Sequence, residues 1–207
     1  LDAIVGEGAI ETGTGRLVAS GFAPGGRIIL GLRPEDLAPT DAAAAAEAAG
    51  RLLDKGTATL TRQQVQDRLD ALKTQIAIQP GAGGVSVSLS TRREHLAEAV
   101  ALVAELLRRP TFPADAFDEY KRQSVTRIEA ARKEPSAVAG NALARLGNPY
   151  PRGDVRYARS FDEQIEDLNA LTLDQVRAFH ARFYGARFAQ FGAAGDIDVG
   201  ALQRALQ

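Results

Sequence analysis

The stretch EAAGRLLDKGT, residues 47–57, carries the end of a helical segment into a short turn. The alanine-rich run 42–53 predicts a helix, because alanine has the highest helix propensity. Pro39-Thr40-Asp41 precedes this run and supplies a capping residue. Gly56 stands where the end of a helix favours a positive φ. The Lys-Gly-Thr turn is therefore, first of all, a helix stop.

The next segment predicts an amphipathic helix followed by a β-hairpin. Thr61 and Gln64 form a capping-box pattern that opens a helix extending to Lys73. Residues 74–79 and 84–90 alternate apolar and polar side chains on either side of a Gly-rich turn. The apolar set of this hairpin should face a helix layer, and the polar set should face water or a cavity. The polar set includes Gln75, Gln79, Ser86 and Ser88.

The rest of the chain predicts more helices than strands. Strands are predicted at 27–33 and 188–195, while the first 25 residues are Gly-rich and weakly patterned. Helices are predicted at 92–108, 114–133, 136–146, 161–168 and 171–184, and a further one begins after Asp196-Ile-Asp198. This order favours an α+β fold in which several helices cover one face of a largely antiparallel, mixed sheet. Residues 1–207 are interpreted as one domain, a fragment of a longer protein.

The composition excludes several classes of function. The 207 residues are 45% hydrophobic and 25% charged with a net charge of -1, as expected for one soluble globular domain. No dense Lys/Arg block occurs, so neither nucleic acid nor direct membrane contact is expected. The chain has no cysteine, which excludes disulfides and thiol catalysis. The compartment stays open: a bacterial periplasmic or secreted location is the first guess, and the cytoplasm is the alternative.

The residues alone yield no catalytic set. The two histidines, His95 and His180, are far apart in sequence, and neither has a second ligand at the spacing of a helix-borne zinc pair. A structural or solvent-facing role is favoured for both. There is no Gly-x-Ser-x-Gly nucleophile elbow, and the Gly-rich segments 81–84 and 192–195 indicate turns rather than phosphate loops.

Several motifs occur in a characteristic order. They are the segment 51–57, Asn148-Pro-Tyr150, the capped helix 172–184, the strand 188–195 and Asp196-Ile-Asp198. In this order, from about Leu37 onward, the chain resembles the pitrilysin/insulinase-type zinc metallopeptidases, the inverzincins. In that family a helix bearing His-x-x-Glu-His leads into a stop similar to Lys55-Gly-Thr57.

The resemblance places Glu47, Gly50 and Arg51 at the first His, the Glu and the second His of that motif. The family's chemistry needs two neutral imidazoles to hold zinc and a carboxylate to take a proton from the bound water. Arginine stays charged and cannot be a ligand, and glycine has no side chain to act as a base. The family's third ligand is a downstream Glu, and Glu129 lies close to that place as a candidate remnant, although a solvent-side or cavity-side helix residue is the favoured interpretation.

The resemblance thus implies a domain from the degenerate, non-catalytic half of such a peptidase. It would complete a peptide-binding chamber and support an active half or homologous subunit, with zinc expected only in that partner and no cofactor in this chain. Gln75, Gln79, Ser86 and Ser88 are the candidate chamber lining. Two alternatives are a structural subunit without a proteolytic role, and a peptidase with an atypical metal site built from His95 or His180 with Glu129.

Overall fold

The computed structural model describes residues 9–12, 15–20, 26–32, 42–81, 84–152, 154, 156–184, 189–195, 200 and 202. Within these ranges, six strands form one sheet in the order β1-β2-β6-β3-β5-β4. The strands are β1 (Ala9–Thr12), β2 (Gly15–Ser20), β3 (Gly26–Leu32), β4 (Gln75–Gly81), β5 (Gly84–Thr91) and β6 (Ala189–Ala194). The pair β2–β6 is parallel and the other neighbouring pairs are antiparallel, which confirms the mixed, largely antiparallel sheet.

Two features of the sheet differ from the simplest expectation. The segment of the first 25 residues, in which no strand is predicted, contributes β1 and β2. The strand predicted at 188–195 is present as β6, and it lies in the interior of the sheet between β2 and β3. Neither result is visible in local patterning, because strand pairing depends on contacts between residues far apart in sequence.

The hairpin of β4 and β5 has the two unlike faces that its alternation predicts. Val85, Val87 and Leu89 are buried, at 1–3% exposure. Gln75 and Gln79 are exposed, and Ser86 and Ser88 are half-buried. The register pairs Gln79 with Ser86 and Gln75 with Ser90, so these polar residues share one face of the sheet.

Seven helices are described, and each begins within a few residues of a predicted start. They are α1 (Ala42–Leu52), α2 (Arg62–Ala71), α3 (Leu96–Arg108), α4 (Ala114–Ala131), α5 (Pro135–Leu146), α6 (Phe161–Ala170) and α7 (Leu173–Phe183). The capping boxes at Thr61 with Gln64 and at Thr172 with Gln175 are both confirmed. The predicted cap at Pro39-Thr40-Asp41 and the turn Asp196-Ile-Asp198 lie outside the described residues. None of the described helices has the length and apolar character needed to cross a membrane.

Helices α1, α3 and α7 cover the apolar face of the sheet. The inner side of α1 is buried at 0–2% exposure and consists of Ala45, Ala48, Ala49 and Leu52. Three of these four side chains are methyl groups, which let the helix approach the sheet and α7 closely. The same core cluster contains Val87 of β5, Val103 of α3 and Val176 of α7. Helix α1 is therefore held at the centre of the helix layer.

The Lys-Gly-Thr turn fastens the end of α1 to the end of α3. Gly56 has φ 144°, a conformation that side chains disfavour, which confirms the predicted positive φ. The hydroxyl of Thr57 donates to Glu105 Oε1 at 2.6 Å and accepts from the backbone N–H of Leu60 at 3.0 Å. The N–H of Thr111 donates to the Gly56 carbonyl at 3.1 Å. These bonds satisfy a buried hydroxyl and fix the direction of the chain after α1.

Candidate functional site

The outer side of α1 faces α4. Because Ala48 and Leu52 point toward the sheet, Glu47 and Arg51 project on the opposite side of the helix, one turn apart. Their side chains are 47% and 48% exposed. Two of the three residues that the resemblance assigns to the zinc motif thus lie next to each other in a partly open groove.

A third charged residue reaches this place from α4. The guanidinium of Arg127 lies 3.7 Å from Glu47 Oε1, and that of Arg51 lies 3.9 Å from the same oxygen. Both separations exceed hydrogen-bond distance, so these are loose ion pairs. Such exposed pairs contribute at most about 1 kcal/mol to stability. Two guanidinium groups therefore share one carboxylate oxygen.

Gly50 is closed off from the groove by a strand. It is buried, and a Cβ atom built on it would lie 2.7 Å from Cβ of Pro80 in β4. Real Cβ atoms do not approach each other so closely, so α1 rests on the end of β4 through the missing side chain. Pro80 is tolerated there because β4 is an edge strand. A glutamate at position 50 could not take up this packing.

The donor set at these positions does not fit a zinc ion. Glu47 supplies one carboxylate, while Arg51 and Arg127 supply only positively charged donors. Glu129 is exposed on α4, and the α4 residue that faces Glu47 is Arg127, two positions earlier. Across the described parts of the chain, no group of three or more His, Asp or Glu side chains is arranged to hold a metal ion.

Two adjoining cavities make up the α1–α4 groove. One measures about 480 Å³ and the other about 360 Å³. Both are lined by Tyr120, Ser124 and Arg127 of α4. The larger cavity extends toward α6 and has an apolar side formed by Ala43, Ala44, Ile128, Ala131, Phe161 and Leu168. The smaller cavity extends toward α2 and is lined by Arg51, Lys55, Arg62, Glu119 and Gln123, among others.

Tyr120 is the side chain between the two cavities. Burial and, next, the negative charge of Glu47 raise the pKa of its phenol to about 12. The group is therefore neutral at physiological pH and offers a hydroxyl, but no negative charge, to the groove. Ser124, one turn further along α4, is buried at 4% exposure. Tyr120 and Ser124 thus give both cavities polar, uncharged groups beside Arg127.

The two histidines lie at opposite ends of α3. His95 precedes the first residue of that helix, and its Nε2 is 3.4 Å from Glu94. His180 Nε2 donates to the carbonyl of Leu107 at 2.8 Å, and its ring stacks on Tyr184 with centroids 4.7 Å apart. With a rise of about 1.5 Å per residue, the two places are about 18 Å apart along the helix. His180 therefore caps and packs the end of α3, and the structure does not bring it together with His95.

The other predicted residues occupy separate places. Gln75, Gln79, Ser86 and Ser88 lie on the sheet face directed away from the helices, whereas the groove lies within the helix layer. Asn148 and Tyr150 belong to a braced turn: Asn148 Nδ2 donates to the carbonyl of Arg156 at 2.8 Å, and the Arg156 guanidinium lies 3.8 Å above the Tyr150 ring. These contacts stabilise the turn between α5 and α6.

Sequence reasoning missed the contribution of α4 to the groove. Tyr120, Ser124 and Arg127 follow one another at spacings of four and three positions, which brings them to adjoining sides of α4. That spacing indicates that the three side chains lie close together on α4. No pattern in the neighbouring sequence shows that this side of α4 contacts α1. Lys55 and Arg62 were likewise unassigned, because their approach depends on the turn after α1.

Comparisons with protein-family models and with curated protein sequences found no match. Among solved structures, the chain superposes on a peptidase M16 inactive domain from Pseudomonas fluorescens with a TM-score of 0.81 at 22% sequence identity. The match covers 96% of this chain and 48% of that chain. The chain has the fold of an M16 peptidase domain. This agrees with the resemblance to pitrilysin-type peptidases that the motifs indicate.

The M16 fold also occurs in larger proteins that this chain matches. The periplasmic protease PqqL from Escherichia coli gives a TM-score of 0.76 at 16% identity, with 99% of this chain and 24% of that chain covered. The ferredoxin protease FusC, in complex with Arabidopsis ferredoxin, gives a TM-score of 0.69 at 15% identity, with 92% and 21% covered. The chain thus spans about half the length of the Pseudomonas domain and about a quarter of the two larger proteases.

Proposed function

We propose that this chain is a non-catalytic peptidase-like domain that completes a peptide-binding chamber and supports an active, zinc-bearing half or subunit. The observation that supports the proposal is the Glu47–Arg51–Arg127 cluster, which includes two of the positions that the family resemblance assigns to the zinc motif. Guanidinium groups repel a metal cation and cannot ligate it. The contact of Gly50 with Pro80 adds a steric reason, since it leaves no room for a catalytic base.

The partner half is supported by the lengths of the matched proteins. In each of the three, a unit of this fold makes up half of the chain or less. FusC was solved with a bound protein, ferredoxin, so one protease that contains this fold holds a polypeptide. We extend this to the present chain as a domain that contacts peptide and leaves hydrolysis to its partner. Zinc would then be bound only in the active half.

The polar face of the β4–β5 hairpin is the proposed chamber lining. Gln75 and Gln79 are exposed, while Ser86 and Ser88 are half-buried beside them. Amide and hydroxyl groups can donate to and accept from an extended peptide, whose backbone offers both kinds of group. Because these residues lie on a sheet and not on a loop, their spacing is set before the peptide arrives.

Metal analysis of the purified chain tests the loss of catalysis. We expect no stoichiometric zinc and no peptidase activity from the chain alone, with activity present once the active half is supplied. Tight, stoichiometric zinc in this chain, or cleavage without a partner, would contradict the proposal. An assembled protein that cleaves no peptide at all would instead indicate a purely structural subunit.

Site-specific cross-linking tests the chamber lining. Because the chain has no cysteine of its own, a probe attaches only to the cysteine that is introduced. Ser86→Cys or Ser88→Cys, labelled with a photo-crosslinker before assembly, should capture a bound peptide. Gln66→Cys on the exposed side of α2 is the matched control and should capture little. Equal capture at positions 66 and 86 would place the peptide elsewhere.

A further inference from the structure

The smaller cavity of the α1–α4 groove has a surplus of positive charge. Arg51, Lys55, Arg62 and Arg127 line it, and Glu119 is the one carboxylate among its lining residues in the described part of the chain. Lys55 pairs with Asp54 at 3.0 Å, and Arg62 pairs with Glu119 at 3.4 Å. Two cations thus have a carboxylate each, whereas Arg51 and Arg127 share Glu47.

The shared pair leaves donors available to a ligand. Among the described residues, no side-chain hydrogen bond of Arg51 or Arg127 is found, and both guanidinium groups lie more than 3.5 Å from Glu47 Oε1. Their side chains are 48% and 61% exposed. A guanidinium presents five N–H donors in a planar fork that matches the two oxygens of a carboxylate. Two such forks on neighbouring helices face one opening.

The size and walls of the groove favour a peptide side chain over a larger polyanion. A cavity of about 360 Å³ is at the small end of ligand sites. Its neighbour of about 480 Å³ has an apolar side that includes Ile128, Phe161 and Leu168. An acidic side chain in the first cavity would therefore have room for an apolar side chain in the second.

We propose that the α1–α4 groove binds an acidic residue of a polypeptide, next to an apolar residue, through Arg51 and Arg127. This inference rests on the proposed function, because it names the class of peptide that the domain would contact. It also gives the lost zinc position a new use: a positive site that attracts the ligand without polarising it for hydrolysis. The helices that carry both arginines are packed against the core, so the backbone positions of Arg51 and Arg127 are fixed before binding.

Fluorescence anisotropy with two labelled peptides tests this on the full protein. The peptides are equal in length and contain either Glu-Leu or Gln-Leu at the centre. We expect the Glu peptide to bind about tenfold more tightly at low salt, and the preference to shrink as salt screens the pair. The double variant Arg51→Gln/Arg127→Gln should lose the preference. Arg145→Gln, on the exposed surface of α5, should keep it.

Several outcomes would overturn the inference. These are equal affinity for the two peptides, an unchanged preference in the double variant, or a site that inorganic phosphate fills while the Glu peptide does not bind. A thermal midpoint within a degree or two of the parent confirms that the double variant is folded. If a probe at Ser86 captures peptide but the Glu and Gln peptides bind equally, the groove proposal is wrong and the chamber proposal is supported. If the Glu peptide binds more tightly but no peptide is captured at Ser86, the proposed chamber lining is wrong and the groove proposal is supported.

Discussion

Helix α1 presents two sides to the rest of the molecule. The inner side, with Ala48 and Leu52 fully buried, is packed into the core against β5 and α7. The outer side, with Glu47 and Arg51 about half exposed, meets α4 through loose ion pairs. Residues on the first side determine whether the helix is held, and residues on the second determine what the groove can bind. A helix can therefore keep its place in this fold while its outer side changes, because the residues that hold it in the core lie on the other side.

The largest expected effect separates the two sides directly. Leu52→Ala should destabilise the protein by about 2–5 kcal/mol, because it removes a fully buried side chain and leaves a cavity. Its neighbour Arg51→Ala should cost less than about 1 kcal/mol, since only an exposed ion pair is lost. Urea denaturation of both variants gives the two values. Similar losses would mean that the two sides do not differ in the way described.

Gly50 sharpens the comparison because it lies at the boundary between the sides. Gly50→Ala should destabilise by about 1–3 kcal/mol, since the new methyl group would lie 2.7 Å from Cβ of Pro80. Gly140→Ala in α5 is the matched control: no atom lies within 4 Å of its new Cβ. Alanine there should stabilise by about 0.5–1 kcal/mol through helix propensity. The midpoint of thermal denaturation should thus fall for Gly50→Ala and rise for Gly140→Ala.

The turn after α1 should show a smaller effect. Thr57→Val keeps the shape of the side chain but removes one of the two hydroxyls that donate to Glu105 and leaves the N–H of Leu60 without its acceptor, at a cost of about 1–2 kcal/mol. Thr59→Val removes the other hydroxyl that donates to Glu105, and it should cost less because Thr59 is exposed. Denaturant titration of the pair measures this. A larger loss for Thr59 would argue against the buried hydroxyl as the main link between the turn and α3.

The smallest expected effect is a pH dependence of the free energy of unfolding, which arises from His180 of α7. Burial lowers the pKa of His180 below its ordinary value of 6.5, against the opposing influence of its bond to the Leu107 carbonyl. The unfolded chain then binds a proton more readily than the folded one, so stability should fall as the pH decreases below about 6.5. His180→Gln cannot titrate and should lose less stability between pH 7.5 and 5.5. Parallel denaturation curves for the parent and variant at both pH values check this.

The parts of the fold that could be predicted are those set by local chemistry. The capping boxes at Thr61 and Thr172, the alternation in the β4–β5 hairpin and the positive φ at Gly56 all depend on residues within a few positions of each other. Strands β1 and β2 carry weak local patterning, and β6 is placed between β2 and β3 by pairing across most of the chain. Contacts of that range leave no periodic signal in a single sequence.

In the candidate site, too, some features follow from the sequence and others only from the tertiary structure. By itself, the sequence determined that positions 47, 50 and 51 hold a carboxylate, no side chain and a guanidinium, so these three positions offer at most one possible zinc ligand. Only the tertiary structure decided that Arg127 faces Glu47, that Pro80 closes over Gly50 and that the cations line a cavity. The physical reason is range: a side chain carries its own chemistry wherever it stands, but its neighbours across helices and strands are set by how the whole core packs.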